Sequence, residues 1–584
     1  MKWDAPLLSD RYHPELSERD PIATLASERL GIPYVFPVQR IVVANILDRA
    51  LEQRPQSNLP DRSITTNGGD TREADDRPRT QLVILPTGAG KSLCFQLPSL
   101  LLPGLTVVVF PLLSLIEDQR RRLEELGIPG TVLRGGQTAE ERAAALRACR
   151  DGTVRVVLTN PETALTERVL RELEQGNVSH LVIDEAHCVS EWGETFRPRY
   201  LELHTVCERL SRAAVTAFTA TASPVVREGI VRHLFAGEEP QLVQGVPDRP
   251  NIHYQVLETL SSQRTLRQLL TRDTVGAVAR PALVFCPTRR RSEEIARLLR
   301  AVLAEDEIYF YHAGLTREEK IDREQWFFSS ADGILCSTTA YGMGVDKANI
   351  RSVIHLEPSP SVESYLQESG RAGRDGKPST AILIAPLGGS RPRDSAPRQR
   401  DTRSELEHQR AAVMERYTTH TGCRRDYLLN ALGAEIEYCN GCDRCDARAA
   451  SSDSVPPALP EPPGAAHRRG APEALYDLLA FFAHQGSSLT GKAAVAALGG
   501  LNDLIAQRHN VSELRGFGLL ADWDEIEIRD ALRALERGGL LRRPRRGLFR
   551  GRLILTASGK RQLRRGGRRR FRRFSWLRRL SFGA

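Results

Sequence analysis

Between Gln81 and Ala385 the chain alternates short apolar runs with longer helical stretches. The runs are QLVIL, TVVVF, VRVVLT, HLVID, ALVFC, GILCS, SVIHL and TAILIA. They are rich in β-branched residues and almost free of the polar alternation that marks a strand with one wet face. Strands of this kind are buried on both sides, which requires a parallel sheet covered by its own crossover helices. A stretch of roughly 300 residues is at the limit of one core. The alternation therefore predicts an α/β chain with two such domains, breaking around Gly245–Asn251.

Composition shifts divide the rest of the 584 residues. We expect an N-terminal extension over 1–30, a first sheet domain over 31–246 with a polar insert at 54–80, and a second over 247–386. A Cys-bearing helical module follows over 387–446, opened by an Arg/Pro-rich connection, and then a Pro-rich linker over 447–471. The N-terminal MKWDAPLLSDRYHPELSERDP lacks the basic-then-apolar pattern of a signal peptide. Leu93–Ile116 is long and apolar, but Pro98, Pro103, Gly104 and Pro111 interrupt it. It reads as a short helix and a buried strand rather than a membrane span. Six of the ten cysteines are scattered singly, among them Cys94, Cys286 and Cys336, which suits reduced thiols in a cytoplasmic protein.

The net charge of +9 is unevenly spread. The 17 Lys and Arg from Leu541 onward leave 65 for the rest of the chain, against 73 acids in all, and no acid lies in that last stretch. A local polycationic segment reads as a contact for nucleic acid or another anionic surface. Residues 472–564 open with PEALYDLLAFFAH, LTGKAAVAAL capped by Thr490, and DWDEIEIRDALRALERGG, three helices with proper start and stop signals. LLRRPRRGLFRGRLILT then reads as a hairpin, so a winged helix is expected. The tail over 565–584 interleaves Arg with Phe571, Phe574, Trp576 and Phe582. That pattern suits sequence-blind nucleic-acid binding, with a membrane-surface helix as the rival reading.

LPTGAGKS sits between the first strand and a helix. The backbone of Thr87, Gly88, Ala89 and Gly90 can wrap phosphates at a helix N-terminus. Lys91 would reach the β- and γ-phosphates, and Ser92 would ligate Mg²⁺. Leu85 stands where the general phosphate-loop pattern has its first Gly. Downstream, Asp184, Glu185, Ala186 and His187 follow the strand HLVI. Adjacent carboxylates at a strand end fit a metal site, Asp184 holding Mg²⁺ and Glu185 orienting the attacking water. Cys423 precedes CNGCDRC, which contains Cys439, Cys442 and Cys445, by 16 residues. Four such thiolates can close a tetrahedral zinc site. An iron–sulfur cluster is the alternative, but the run lacks the x₃-C-P that follows in bacterial ferredoxins.

PTGAGKS, VVFPLLSLIEDQ, DEAHCVSEWGETFRP, FTATAS, ALVFCPTRR, YHAGLTREEK, TTAYGMGVDKANIRSVIH and QESGRAGRDG together resemble the ordered motifs of superfamily-two helicases, specifically the RecQ family of DNA helicases. The resemblance covers roughly residues 31–446. It implies two RecA-like lobes with ATP between them and a structural zinc module from CRRDYLLNALGAE to CNGCDRC. It also implies 3′-to-5′ movement on single-stranded DNA. Gln39 matches the adenine-reading glutamine, although VFPVQ has Phe36 where the family has Arg. Arg374 matches an arginine finger for the γ-phosphate, with Arg371 beside it; a helix-surface ion pair is the plain alternative for both. Thr219 and Thr221, with His187, match positions that couple the lobes, and Asp346 matches an acidic position tied to lobe closure. A buried loop Asp satisfying backbone N–H groups is the alternative for Asp346.

Trp192, Phe196 and Arg197 match the aromatic-rich loop that senses single-stranded DNA. Phe549, among Arg545, Arg546, Arg550 and Arg552, matches the wing tip that stacks at a duplex junction, or else packs in the small core. The long linker leaves open whether that module is rigidly held. The expected function is an ATP-dependent DNA helicase acting on single-stranded and forked DNA in recombination or repair. Single-stranded DNA-binding or recombination proteins are its expected partners, the bacterial nucleoid its location, and no membrane is involved. The alternatives are an RNA helicase or duplex translocase, and a non-catalytic DNA-binding or annealing protein.

Overall fold

The computed structural model describes residues 21–52, 79–86, 89–191, 198–245, 248–272, 277–341, 347–388, 402–449, 474–485, 489–544, 546 and 550–570. Among these, seven strands form the first sheet: β1 (Thr80–Ile84), β2 (Leu105–Val109), β3 (Gly130–Leu133), β4 (Val156–Thr159), β5 (Val178–Ile183), β6 (Ala214–Thr219) and β7 (Gln241–Gln244). Their order is β3-β4-β2-β5-β6-β1-β7, and every pairing is parallel. Successive residues of the central strands face opposite sides. Leu82, Val107, Leu181 and Ile183 join one apolar cluster, whereas Val83, Val108 and Val182 join another. Helices cover both faces, which explains why these runs are apolar throughout.

The chain passes from this unit to a second at Arg249–Pro250. The second sheet contains β8 (Ile252–Thr259), β9 (Ala282–Phe285), β10 (Ile308–Tyr311), β11 (Ile334–Ser337), β12 (Ser352–His355) and β13 (Ser379–Pro386). Its order is β10-β11-β9-β12-β13-β8, again all parallel. The α/β class and the two parallel sheets agree with the expectation.

Five strands had no counterpart among the apolar runs: β3, β6, β7, β8 and β10. β3, β7, β8 and β10 lie at sheet edges, where one side of the ladder is open and exposed or polar residues are tolerated. β6 is different, being central and fully buried, but its AVTAFT sequence is too rich in Ala and Thr to stand out.

The Cys-bearing module lies against the edge strand β8. Tyr254 forms a parallel bridge with Cys442, Arg425 donates to the Ile252 carbonyl at 2.5 Å, and His253 Nε2 meets Asp446 at 2.7 Å. Its last helix runs Asp443–Ala449, three residues into the expected linker; the rest of that linker lies outside the described residues.

The C-terminal module holds the helices Leu475–Gln485, Gly491–Gly499 and Glu525–Arg537 at the expected places. Thr490 caps the second, its hydroxyl accepting from Ala493 N–H at 3.3 Å, and Asp524 opens the third in a capping box with Glu527. Two short antiparallel strands follow, β14 (Leu541–Arg542) and β15 (Ile554–Leu555). Two further helices, Leu504–Arg508 and Ala557–Arg570, were not expected. The second begins before the expected tail and runs into it, and Leu563 on it packs on the module's core. Phe549 and residues 571–584 lie outside the described residues. Leu93–Ile116 is a helix, Leu93–Ser99, followed by β2. No helix of the described residues is long and apolar enough to cross a membrane.

Candidate nucleotide and metal sites

β6 lies between β1 and β5, so the C-terminal ends of three neighbouring strands carry three of the quoted motifs. Leu85, just beyond β1, donates its N–H to the Thr219 carbonyl at 3.0 Å. Its side chain is buried in the same apolar cluster as Val83, which accounts for Leu where the general pattern has Gly. Thr87 and Gly88 lie outside the described residues. Ala89 N–H donates to the Pro86 carbonyl at 3.1 Å, and Gly90 turns the chain with a φ of +75°. Lys91 and Ser92 then lead into the helix. The Ser92 hydroxyl accepts from Gln119 Nε2 at 3.3 Å, a contact whose only sequence signal was the end of the quoted VVFPLLSLIEDQ.

Gln39 is buried on this loop. Its Nε2 donates to the Ala89 carbonyl at 2.8 Å, and its Oε1 accepts from Phe36 N–H at 2.9 Å. A Cβ on Gly90 would lie 2.6 Å from Gln39 Nε2, so the glycine makes room for the amide. Phe36 itself is exposed and meets exposed Tyr34 edge-on, with ring centroids 5.3 Å apart.

At the end of β5, Asp184 N–H donates to the Val109 carbonyl at 3.0 Å, and the Tyr200 hydroxyl donates to the Asp184 carbonyl at 3.1 Å. Asp184 as a residue is half-buried, but its Oδ1 is shut off from solvent and has no hydrogen-bond partner. Burial pushes its carboxyl up to about 6; the nearby Lys91 charge opposes this and the Glu185 charge adds to it. A sealed, unpaired carboxylate oxygen is what a bound divalent cation satisfies, so these residues fit Mg²⁺. Glu185 has a φ of 50°, in the left-handed region. It lies 3.3 Å from Nδ1 of buried His187, which also meets the Thr219 hydroxyl at 3.2 Å. That hydroxyl donates to the Thr221 carbonyl at 2.9 Å. A polar chain thus runs from Glu185 to Thr219 and Thr221. Trp192, Phe196 and Arg197 lie outside the described residues.

In the second unit, Arg371 and Arg374 follow the helix Val362–Ser369; Arg371 is buried and Arg374 half-buried. Gly373 between them has a φ of +53° and donates to the Ile350 carbonyl at 2.8 Å. A Cβ there would lie 2.5 Å from both Asn251 Nδ2 and Ser379 Oγ. Asn251 donates to the carbonyls of Gly373 and Lys377, and Arg351 grips both oxygens of Asp375 at 2.7 and 2.6 Å. The loop bearing both arginines is therefore pinned on either side. Neither Asn251 nor Arg351 was legible as part of it, because each lies far away in sequence. Asp346 lies outside the described residues.

The Sγ atoms of Cys423, Cys439, Cys442 and Cys445 all lie within 4.8 Å of one another. Cys423 and Cys442 are 4.0 Å apart, close to the sulfur–sulfur spacing around tetrahedral zinc and far beyond a disulfide. Backbone N–H groups point at the sulfurs: Arg424 and Cys445 donate to Cys442 at 3.5 and 3.4 Å, and Asp426 donates to Cys423 at 3.5 Å. Cys442 is held well below the ordinary thiol range, first by the Cys439 thiol and then by backbone donors, while that same bond raises Cys439. Four converging sulfurs, with Cys442 stabilised as a thiolate, fit zinc. Buried Arg424 pairs with Asp443 at 3.0 Å beside them, a support the cysteine spacing did not signal.

Three family models match in order. Residues 71–228 match the DEAD/DEAH box helicase, 262–376 the helicase conserved C-terminal domain, and 390–446 RecQ zinc-binding. The chain is 34% identical over 377 residues to the ATP-dependent DNA helicase RecQ of Pasteurella multocida (strain Pm70), covering 63% of this chain and 57% of that one. It is 36% identical over 314 residues to the probable ATP-dependent DNA helicase RecS of Bacillus subtilis (strain 168), covering 52% and 60%. The chain thus spans less than two thirds of the length of these curated relatives. Among solved structures, the DUF1998 helicase MrfA bound to DNA is similar with a TM-score of 0.50 and 20% identity, over 67% of this chain and 53% of that one, a likeness of fold alone. Both helicase models, the zinc-binding model and four clustered thiols occur in one chain, and together these matches support a RecQ-family superfamily-two helicase.

Proposed function

We propose that this chain is an ATP-dependent DNA helicase that moves 3′ to 5′ on single-stranded DNA and separates duplex ahead of it. The observation that supports this most is the sealed Oδ1 of Asp184, a cation ligand in waiting, beside a Glu185 held by its backbone and by His187. Ser92 and Asp184 are the residues that would hold Mg²⁺, whose charge neutralises phosphate oxygens during transfer. Lys91 binds the β- and γ-phosphates, with the loop backbone from Thr87 to Gly90 around them. Glu185 orients the attacking water and takes its proton. Arg374, with Arg371 beside it, meets the charge that develops on the γ-phosphate. Gln39 reads the adenine edge, and its bonds to Ala89 and Phe36 link that reading to the phosphate loop. The His187–Thr219–Thr221 chain and Asp346 relate hydrolysis to lobe movement.

Cys423, Cys439, Cys442 and Cys445 hold a structural Zn²⁺. The C-terminal module acts as a winged helix, with Phe549 at the junction and neighbouring arginines on phosphates. Single-stranded and forked DNA are the substrates, single-stranded DNA-binding or recombination proteins the partners, and the bacterial cytoplasm, at the nucleoid, the location. The test measures ATP hydrolysis with single-stranded DNA, duplex DNA and RNA, together with unwinding of 3′- and 5′-tailed duplexes. Stimulation by single-stranded DNA and a requirement for the 3′ tail are expected. Equal stimulation by RNA overturns the proposal.

A further inference from the structure

We infer that Arg264 and Arg267 are positioning residues that fasten the C-terminal module to the second sheet, so that strand separation depends on them and ATP hydrolysis does not. Both lie on the helix Ser262–Leu270, directly after β8. Arg264 is 8% exposed. It donates to the carbonyl and carboxylate of Asp522 at 3.2 and 2.7 Å, and its guanidinium lies 4.5 Å from the ring centroid of Trp523. Arg267 reaches Glu527 at 3.2 Å and Asp524 at 3.6 Å, and Arg264 also approaches Glu527 at 3.6 Å. Two cations from the sheet unit thus meet three acids at the start of the helix Glu525–Arg537.

Helix polarity alone favours acids at that position. It does not account for a Glu527 that is 2% exposed, because a carboxylate so buried needs cations beside it. A planar guanidinium held between a carboxylate and an aromatic face also fixes direction as well as distance. Apolar contact continues the join. Leu260 at the end of β8 belongs to the same cluster as Leu478, Trp523 and Leu535, and Leu387 beyond β13 packs on it. At the far end of the interface the backbones meet, since a Cβ on Gly388 would overlap Gly538. A module joined to the rest by a long Pro-rich segment therefore has a specific seat, charged at one end of a helix and close-packed at the other. Whatever displaces the second unit during the ATP cycle carries this module with it.

The inference rests on the helicase reading for its functional arm and on geometry alone for its structural arm. The full chain is compared with Arg264→Met, Asp522→Arg and the double variant. Asp522→Arg serves where Arg264→Met fails to fold, since the Asp522 side chain is 71% exposed. In each variant we expect unwinding of a tailed duplex to fall about tenfold. DNA-stimulated kcat and KM for ATP should stay within about twofold. The radius of gyration in X-ray scattering should rise, and the double variant should be no worse than the worse single one. Unwinding within about twofold of the parent, kcat falling in step with unwinding, or multiplying losses in the double variant each overturn the inference. Should the parent chain unwind nothing, the helicase reading fails. Scattering then decides the seat by itself, and an unchanged radius in Asp522→Arg overturns it.

Discussion

Glu185 adopts a backbone conformation that a residue with a Cβ takes only when its surroundings impose it. A φ of 50° costs an L-residue roughly 1–2 kcal/mol. Here the flanking hydrogen bonds impose it: Asp184 N–H to Val109 O at 3.0 Å and Ala186 N–H to Phe218 O at 2.8 Å tie the chain to two different strands. The result gives adjacent carboxylates distinct surroundings, one oxygen of Asp184 being sealed and Glu185 lying beside His187. Glu185→Gln preserves shape and backbone but cannot accept a proton. We expect kcat for DNA-stimulated hydrolysis to fall by on the order of 10²–10⁴ while affinity for a fluorescent ATP analogue is unchanged. Equal loss of binding would remove Glu185 from the base role. The carboxylate pair itself was legible in DEAH. The left-handed turn and the His187–Thr219 contact were not, because the strands that impose them lie far off in the chain, one before and one after.

At the scale of elements, burial decided what could be read. β1, β2, β4 and β5 stood out because both faces are covered and apolar residues fill them. β6 is equally buried, yet its small residues carry no such signal, and it is the strand that places Thr219 between the two carboxylates and the phosphate loop. The pinned loop around Gly373 and the seat at Arg264 also depend on partners distant in sequence. The zinc module shows the opposite case, since ligand spacing alone identified all four thiols. Its attachment to β8 makes it more than a decoration. Cys442 takes two backbone donors and bridges Tyr254, while Arg425 and Asp446 bind the same strand. Cys442→Ala should therefore lose bound zinc, read by atomic absorption, and lower the melting midpoint by roughly 5 °C or more. Solubility should fall before any selective loss of ATP hydrolysis. An unchanged melting profile contradicts a structural role for the metal.

For the whole molecule the question is how DNA, on the proposed reading, could govern hydrolysis at Asp184 and Glu185. Residues 192–197 lie outside the described part, but both ends of that segment are tied to the carboxylate site. Upstream, Cys188 N–H bonds to the Glu185 carbonyl at 2.9 Å, directly after the DEAH run. Downstream, fully buried Tyr200 holds the Asp184 carbonyl through its hydroxyl at 3.1 Å. On the proposed reading, a reordering of the segment would be passed to Asp184 from one side and to Glu185 from the other. A base stacked on Trp192 and a phosphate on Arg197 would supply such reordering at a free energy of about 1–3 kcal/mol per stacked base. Trp192→Ala leaves both anchors and every nucleotide-site residue in place. Hydrolysis without DNA should then stay within about twofold of the parent, while the DNA-stimulated rate falls about tenfold or more. The concentration of single-stranded DNA giving half-maximal stimulation should rise as well. An equal fall in both rates would mean that Trp192 supports the site as packing alone, and the coupling role would be lost.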